Sequence, residues 1–440
     1  MNNIIREILA SISTMIATED FKSEHRLNKQ DFTRNRIIGF YSLVVGQIKG
    51  FIKSLSVELN NMLVSFKNEG VYSKQAFSEA RQKLRHSAFI ALNTNFMQRY
   101  YACPNNYKTF RDKYVLLAID GSLCQLSQSE SAIAHFGTSS NQTDKQMAMG
   151  KASVMYDVLN HIVVDSQLAH YKQDEHSLYD LHRASEINYF SNEISKIYLM
   201  DRNYPSFKKM LELNQQGDFF VIRCKGQHCR ETAAFVSLNI QEQTLHIDLS
   251  DSTRRNGASL KKVKDCPDSL EVRIVRILLA SGEYEYLLTN TDFDIVTLYY
   301  LYGLRWGIET FYGGIKGTMQ LENFSSTLPE GILQDFHAKI LSSNLMQLFI
   351  EEAQKRVDKE SLTTNNKYKY IINTNVARGL LKDRVAILVF NNEMTPEVIE
   401  ELINLVTKYK VAVVPDRKPP RNKEKRKSRR KYFMHQKKAF

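Results

Sequence analysis

The sequence lacks the marks of secreted and membrane-spanning proteins. Its 440 residues contain five cysteines, an odd number without a close CxxC pair, which argues against a disulfide framework and indicates a reducing compartment. No apolar run reaches about 18 residues, and the first residues have neither the continuous apolar stretch nor the cleavage site of a signal peptide. We therefore expect a soluble, intracellular protein with no membrane span.

The cysteines give little support to a zinc site. Cys224, His228 and Cys229 lie close together, but their spacing matches no common zinc-binding pattern and no second pair of ligands follows. The preferred interpretation is a thiol at the end of a strand and two surface groups.

Net positive charge is almost absent outside one segment. The formal net charge is +12, but residues 417–440 contain 12 Lys or Arg and one acidic residue, Glu424. The other 416 residues carry 48 basic and 47 acidic side chains, so a surface for a polyanion there requires segregated charge. The tail has no apolar periodicity, and we expect it to be disordered without a polyanion partner.

The remaining chain divides by pattern into three parts. Residues 1–105 show helical periodicity, whereas residues 106–330 alternate short apolar runs with helical segments, as in an α/β domain. Within that domain, residues 226–292 are predicted to be mainly β, and residues 331–416 are helical again. The strand candidates are Tyr114–Ile119, Ala152–Val158, His161–Ala169, Lys196–Met200, Asp218–Cys224, Thr244–Leu249, Leu270–Leu279 and Tyr284–Thr289.

One helix of the first part is basic. Ser73 can serve as the N-cap of KQAFSEARQKLR, and Arg81, Lys83 and Arg85 lie toward its C-terminal end. Such a helix could enter a DNA groove. An ordinary solvated amphipathic helix is an equally good interpretation of these residues.

Two apolar runs in the α/β part, YVLLAID and KIYLMD, have the pattern of strands buried on both faces. Asp120 ends the first run and precedes a Gly-Ser pair, and Asp201 ends the second and precedes Arg202 and an Asn-Tyr-Pro turn. The backbone is expected to turn directly after each aspartate, so that both carboxylates lie at strand ends. Taken alone, an aspartate in such a place is more often a turn former or helix cap than a catalytic group.

A third element carries four polar side chains at helical spacing. In LYGLRWGIETFYGGIKG, with Tyr302 set to zero, Arg305 falls near 300°, Glu309 near 340° and Lys316 near 320° at about 100° per residue. The four groups share a stripe roughly 60° wide. Arg305 and Glu309 alone could be an ordinary i,i+4 pair on a solvated face. The collinear Tyr302 and Lys316 and the two upstream aspartates make coincidence a poor explanation.

The other side of this helix carries glycines. Gly303, Gly307 and Gly314 fall near 100°, 140° and 120°, where missing side chains would permit close packing against a sheet. Trp306, the only tryptophan, falls near 40°, and a role in the core is favoured over base stacking.

The chain here resembles the insertion-sequence-four family of cut-and-paste DDE transposases. Tyr302, Arg305, Glu309 and Lys316 match its Y-R-E-K signature, and the Asp-Arg-Asn-Tyr run from Asp201 is similar to its second-aspartate motif. The Asp-Gly-Ser run from Asp120 is similar to its first-aspartate motif. The resemblance covers about residues 114–325, with a weaker likeness at residues 73–81.

The resemblance implies a fold. It predicts a ribonuclease H-like catalytic domain over residues 106–330, a mixed sheet flanked by helices, with a β-rich insertion before the glutamate. A helical DNA-binding domain would precede it, and C-terminal helices and the basic tail would follow. Glu309 follows Asp201 by 108 positions, which leaves room for the insertion.

The resemblance also implies catalytic residues, metals and partners. Asp120, Asp201 and Glu309 would hold two Mg²⁺ or Mn²⁺ ions, because clustered carboxylates repel one another unless cations neutralise them. Arg305 and Lys316 would hold DNA phosphates, with Tyr302 and Arg202 also assigned to DNA. The predicted partner is double-stranded DNA, bound as element ends and as target by a homodimer in the prokaryotic nucleoid.

Two other functions stay open from the sequence. An inactive or repurposed relative would bind DNA without cutting it, although the intact Asp-Asp-Glu set argues against this. A basic RNA-binding structural protein is suggested by the tail alone.

Overall fold

The computed structural model describes residues 2–34, 36–67, 70, 72–140, 146–191, 193–250, 265–279, 281–364 and 366–415. The basic tail predicted to be disordered, residues 417–440, lies outside these ranges, as does part of the predicted insertion.

Six helices form the N-terminal part of the described chain. They are α1 (Asn2–Ala17), α2 (Glu19–His25), α3 (Phe40–Lys49), α4 (Leu55–Ser65), α5 (Lys74–Arg81) and α6 (Ser87–Tyr101). The prediction that this region is helical is confirmed. Ser73 caps α5 as predicted, since its hydroxyl accepts a hydrogen bond from the Ala76 N–H at 3.1 Å.

The basic residues of α5 do not form one exposed face. Arg81 is buried and donates to Gln334, Ser325, Gln47, Asp335 and the Gly331 carbonyl, with distances from 2.6 to 3.1 Å. Lys83 and Arg85 lie beyond the end of the helix. The guanidinium of Arg81 instead joins α5 to the helix that carries Gln334 and Asp335. A DNA contact by this basic segment stays a prediction for its other residues.

The central part is a mixed sheet with helices, which confirms the α/β prediction. Its strands are β1 (Tyr114–Gln125), β2 (Thr138–Ser140), β3 (Gln146–Asp157), β4 (Ile162–His170), β5 (Ser195–Met200), β6 (Phe219–Cys224), β7 (Glu242–Asp248), β8 (Ser269–Leu278) and β9 (Tyr284–Thr289). Its helices are α7 (Glu130–Phe136), α8 (Glu175–Glu186), α9 (Phe207–Gln215) and α10 (Arg230–Leu238).

The strand order is β2-β3-β1-β5-β6-β9-β8-β7, with β4 also paired to β3. β1, β5 and β6 run parallel, whereas β3 is antiparallel to both β1 and β4. The residues of β1 from Val115 to Ile119 are fully buried, as expected for a central strand covered on both faces.

The predicted β-rich insertion extends this sheet. β9 pairs antiparallel with β6, and β8 and β7 follow outward, so the insertion continues the central sheet to one edge. Helix α10 was not expected there. It buries only Thr232 and Phe235, which is too little to give a helical periodicity in the sequence.

The chain after the sheet is largely helical. It forms α11 (Ile295–Leu304), α12 (Trp306–Gly317), α13 (Pro329–Thr363), β10 (Lys369–Ile372), α14 (Thr374–Asn391), α15 (Pro396–Thr407) and β11 (Lys410–Val413). The long helix α13 packs against β4, against α3 and α6 of the N-terminal part, and against α14 and α15. Helices from both ends of the chain therefore surround α13 beside the sheet.

Membrane insertion has no candidate segment in these ranges. None of the helices in the described part of the chain combines the length and apolarity needed to cross a bilayer.

Candidate active site

Asp120 lies inside β1, not at its end. The strand continues to Gln125 because residues from Leu117 to Gln125 pair with β3, with Asp120 opposite Val154. The expectation that the chain turns directly after Asp120 is therefore wrong. The parallel pairing of β1 with β5 ends before Asp120. The last two paired residues are Ala118 and Leu199.

Asp201 follows the last residue of β5, as predicted. Its carboxylate accepts a hydrogen bond from the Asn203 N–H at 2.8 Å, and its carbonyl accepts one from the Tyr204 N–H at 3.1 Å, which closes the turn. Because Ala118 lies opposite Leu199, two further residues in the same register place Asp120 beside Asp201. Neighbouring strands are about 4.8 Å apart, so the two carboxylates emerge close together.

The polar stripe spans two helices that meet at Arg305. The Arg305 N–H bonds to the Tyr302 carbonyl at 3.1 Å, and its own carbonyl accepts from the Ile308 N–H at 3.1 Å, so the turn is tightened there. Gly303 and Gly307 flank this turn and lower the helical propensity on both sides. The prediction of one continuous helix is wrong at this point, although the chain stays right-handed helical through Arg305.

Arg305 bridges two of the predicted catalytic carboxylates. Its Nη2 donates to Glu309 Oε1 at 2.7 Å, and its Nη1 lies 3.9 Å from Asp120 Oδ2. Arg305 is 6% exposed, but the side chain of Glu309 is 39% exposed, so water partly screens the Arg305–Glu309 contact. The i,i+4 pair that the sequence allowed is present. Its Arg305 end is buried beside Asp120 of β1, whereas Glu309 is exposed.

The other members of the stripe lie around this ion pair. Lys316 donates to Ser122 Oγ at 2.7 Å and to the Leu123 carbonyl at 2.6 Å, so it is fixed to β1 just beyond Asp120. Tyr302 is buried, with the Arg305 guanidinium 5.6 Å from its ring centre. A direct contact of Tyr302 with DNA, as the sequence suggested, is therefore not available in this conformation. Arg202 is exposed immediately after Asp201.

Trp306 and the glycines differ from expectation. Trp306 is 60% exposed beside Arg305, so the predicted core role is wrong. The tightened turn at Arg305 directs this residue to solvent. Among the glycines, Gly303 has no neighbour near its missing side chain, Gly314 faces Arg378 of α14, and only Gly307 lies near Tyr156 and Val158 at the end of β3. The glycine face predicted to pack on a sheet is therefore confined to Gly307.

The environment of Asp120 disfavours its charge. Burial raises the pKa of Asp120 to about 6, the charges of Asp201 and Glu175 add to the rise, and the Gly121 N–H and Arg305 oppose it. In the described part of the chain, no three acidic, histidine or cysteine side chains are grouped so as to hold a metal ion. The structure thus brings Asp120 and Asp201 together, whereas Glu309 is paired with Arg305.

A family comparison covers the part of the chain that carries these residues. Residues 111–345 match the profile of the transposase DDE domain, which is more than half of the chain and includes β1, β5 and α12. The chain belongs to the transposase DDE domain family. Membership of this family implies a DNA transposase, an enzyme that cleaves DNA and transfers strands.

Solved structures also include likenesses to this transposase-family chain. It is similar to the cryo-EM structure of a piggyBac transposase synaptic complex with hairpin DNA, at 12% identity and a TM-score of 0.47, over 94% of this chain and 88% of that chain. None of the curated proteins matches the chain.

Two further residues lie beside the aspartates of this transposase domain. Glu175 carried no functional signal in the sequence, and Tyr204 carried one only as the last residue of the Asp-Arg-Asn-Tyr run. Glu175, at the start of α8, interacts electrostatically with both Asp120 and Asp201. Tyr204 is fully buried next to the same carboxylates. An acidic residue in a first helical turn is common for electrostatic reasons, so Glu175 could not be distinguished from an ordinary N-terminal helix residue.

Proposed function

We propose that this protein is a cut-and-paste DNA transposase whose catalytic residues are Asp120, Asp201 and Glu309. The observation that carries the proposal is the placement of Asp120 beside Asp201, with Arg305 linking Asp120 to Glu309, inside the family's catalytic domain. The strand order β4-β3-β1-β5-β6, in which only β3 is antiparallel, supports a ribonuclease H-like catalytic domain.

The donor set suits a hard divalent cation such as Mg²⁺ or Mn²⁺. Asp120 and Asp201 offer adjacent carboxylates. The pKa of Asp120 is raised by burial first and by the charge of Asp201 in addition, and a bound cation would offset both effects. Asp120, Asp201 and Glu309 would hold the metal, Glu309 after release from Arg305. When bound, divalent ions would activate a water or 3′-OH for attack on phosphorus and would stabilise the leaving oxygen.

The remaining side chains would position DNA. Arg305 presents a planar fork next to the carboxylates, which suits a phosphate at the cleavage point, while Lys316 fixes β1 and places a point charge further along α12. Arg202 is exposed beside Asp201 and can reach the same backbone. The exposed ring of Trp306 is available for stacking on an unpaired base. We assign the paired-end homodimer and the terminal inverted repeats to this function as well.

A nicking assay tests the proposal directly. DNA carrying the sequences that flank the reading frame should be cut only with Mg²⁺ or Mn²⁺ present and only near inverted repeats. Random DNA of equal length is the control. Binding without cutting in any metal would identify a repurposed DNA-binding relative.

The pKa of Asp120 predicts a pH dependence of metal binding. Because Asp120 has a pKa of about 6 without metal, protons compete with the cation below that pH. Affinity for Mn²⁺ in the absence of DNA should fall by up to about tenfold per pH unit below 6 and level off above 7. Titrations between pH 5 and 8 measure this. An affinity that stays constant from pH 7.5 to 5.5 would contradict the assignment of Asp120 as a ligand.

The basic tail should provide affinity without sequence discrimination. Its 12 Lys and Arg residues after Asp416 lack apolar periodicity that would orient them for reading bases. Deleting the tail should reduce the slope of log affinity against log salt by about 0.9 for each DNA phosphate that the tail neutralises, and spare the preference for end DNA over random DNA. Equal reductions of affinity and preference would show that the tail reads sequence.

A further inference from the structure

Arg378 of α14 is a partly buried arginine whose guanidinium lies against α12. A Cβ atom at Gly314 of α12 would lie 2.6 Å from Arg378 Nη1 and 3.7 Å from its Cζ, so the guanidinium fills the space that a side chain at Gly314 would take. Gly314 follows Glu309 by five positions, roughly 8 Å along the helix axis. Arg378 therefore places a positive charge beside the helix that carries the proposed catalytic glutamate.

The charge of Arg378 has no counter-ion within the described part of the chain, where its guanidinium forms neither an ion pair nor a hydrogen bond. Burial lowers the pKa of Arg378, and the group that opposes this effect is the Tyr156 hydroxyl and not a carboxylate. Because an arginine side chain stays charged in a protein, partial burial without a partner is unfavourable. An anion from outside the chain would supply the missing partner.

The guanidinium lines a small basic cleft. The cleft has a volume of about 70 Å³ and lies between α14, the end of α3, the end of α12 and α13. None of the described side chains that line it is acidic, and four are basic: Lys49, Lys339, Arg378 and Lys382. This volume has room for a few waters or for one phosphate group.

The three lysines of the cleft already have partners. Lys49 lies 3.0 Å from Glu58 and 3.5 Å from Asp383, and Lys382 lies 3.8 Å from the same Glu58. Lys339 donates to three backbone carbonyls that follow α12. Two carboxylates are thus shared by two lysines, and Arg378 is the cation of the cleft that lacks a partner among the described residues.

Arg378 and Arg305 lie on opposite sides of the exposed face of α12. Arg305 points to Asp120 of β1, whereas Arg378 covers Gly314 on the side of α14, and the exposed Glu309 lies between them. Gly314 follows Arg305 by nine positions, roughly 14 Å along the helix axis. This length corresponds to about four base pairs of duplex DNA at about 3.4 Å each. A DNA backbone that lies along α12 can therefore contact both arginines.

We propose that Arg378 binds a phosphate of the duplex at an element end, about four base pairs from the cleavage point. The inference rests on the proposed function and adds to it a DNA contact from the C-terminal helical region. An unpaired guanidinium in a basic cleft suits a phosphate, which it can hold with two parallel hydrogen bonds. Its position against α12 selects the DNA that is held for cleavage.

Binding of the full-length protein to end duplex, measured in Ca²⁺ or EDTA, tests the contact. Arg378→Ala should weaken binding by about tenfold at about 0.1 M salt and reduce the slope of log affinity against log salt by about 0.9, the value for one phosphate. Its unfolding temperature should not fall, whereas a structural role would lower that temperature and leave the salt slope unchanged. The matched control is Arg384→Ala, an exposed arginine of α14 that lines a different cleft with Glu397, Glu400 and Glu401.

A neutral methylphosphonate, moved one position at a time along the end duplex, locates the phosphate. The unmodified protein and Arg384→Ala should lose affinity when the neutral group lies about two to six base pairs from the cut, and Arg378→Ala should not respond there. Gly314→Ala keeps the charge but displaces the guanidinium, because the new Cβ would lie 2.6 Å from Nη1. It should weaken binding by about threefold.

The outcomes separate this contact from the proposed function. If Arg378→Ala binds end duplex with the affinity and salt slope of the unmodified protein, the contact is absent, while metal-dependent nicking by both proteins would leave the proposed function intact. The same methylphosphonate response in both proteins would also overturn the contact. An unmodified protein that binds no end duplex would contradict the proposed function itself. Should Arg378→Ala fail to fold, Gly314→Ala decides: unchanged affinity and methylphosphonate response would overturn the inference.

Discussion

Asp120→Asn, Asp201→Asn and Glu309→Gln should each reduce metal-dependent cleavage by about 10³-fold or more, and leave binding to end DNA intact. Each substitution removes a charge that the proposed function assigns to metal binding, while keeping the side-chain size. Asp120 and Asp201 lie next to each other in the strand register, so removal of either charge halves the adjacent carboxylate pair. In the proposed site Glu309 would contribute from α12 after release from Arg305, to which it is bound in this structure.

Cleavage and binding need separate measurements for these variants. Single-turnover nicking in Mg²⁺ gives the rate, and a gel-shift titration in Ca²⁺ or EDTA gives affinity for end DNA. Asp180→Asn is the control for removal of a carboxylate elsewhere and should cleave normally, since Asp180 pairs only loosely with Lys208. Any one of the three variants that retains near-normal Mg²⁺-dependent cleavage would remove that residue from the site.

The positions of the strands that carry Asp120 and Asp201 could be predicted because burial on both faces leaves a continuous apolar run. β9 was predicted with its observed bounds, and β5 to within one residue. The end of β1 could not be predicted. Residues after Asp120 are polar and glycine-containing, and only their pairing with β3, a contact distant in sequence, keeps them extended.

The geometry around Arg305 also could not be predicted from the sequence. Helical spacing correctly placed Arg305 and Glu309 together. It could not show that a tightened turn interrupts the helix, that Trp306 is thereby exposed, or that Arg305 reaches Asp120 on a strand almost two hundred residues earlier. The position of Glu175 was missed for the same reason, because its close approach to β1 depends on the missing side chain of Gly121.

Arg305→Ala should reduce cleavage by about 10²- to 10³-fold and at the same time raise the affinity of the DNA-free protein for Mn²⁺, by about tenfold. The guanidinium lies 2.7 Å from Glu309 and 3.9 Å from Asp120, so its charge opposes a cation at those carboxylates. Removing it frees both groups for metal. The cleavage rate should still fall, because the planar donor that would hold the scissile phosphate is absent. Arg305→Lys should recover little of the rate, since a point charge cannot reproduce the fork.

Metal titration beside single-turnover cleavage distinguishes the roles of Arg305. Lys316→Ala is the comparison, because Lys316 donates to Ser122 and Leu123 and its removal should slow cleavage modestly through β1 without raising metal affinity. If Arg305→Ala loses metal as Glu309→Gln does, Arg305 serves to orient Glu309 and the phosphate assignment is wrong. If it gains metal affinity but cleaves normally, Arg305 is only a counter-ion of the DNA-free site. We expect higher metal affinity together with slow cleavage. This result would show that the guanidinium leaves the carboxylates and binds the DNA phosphate.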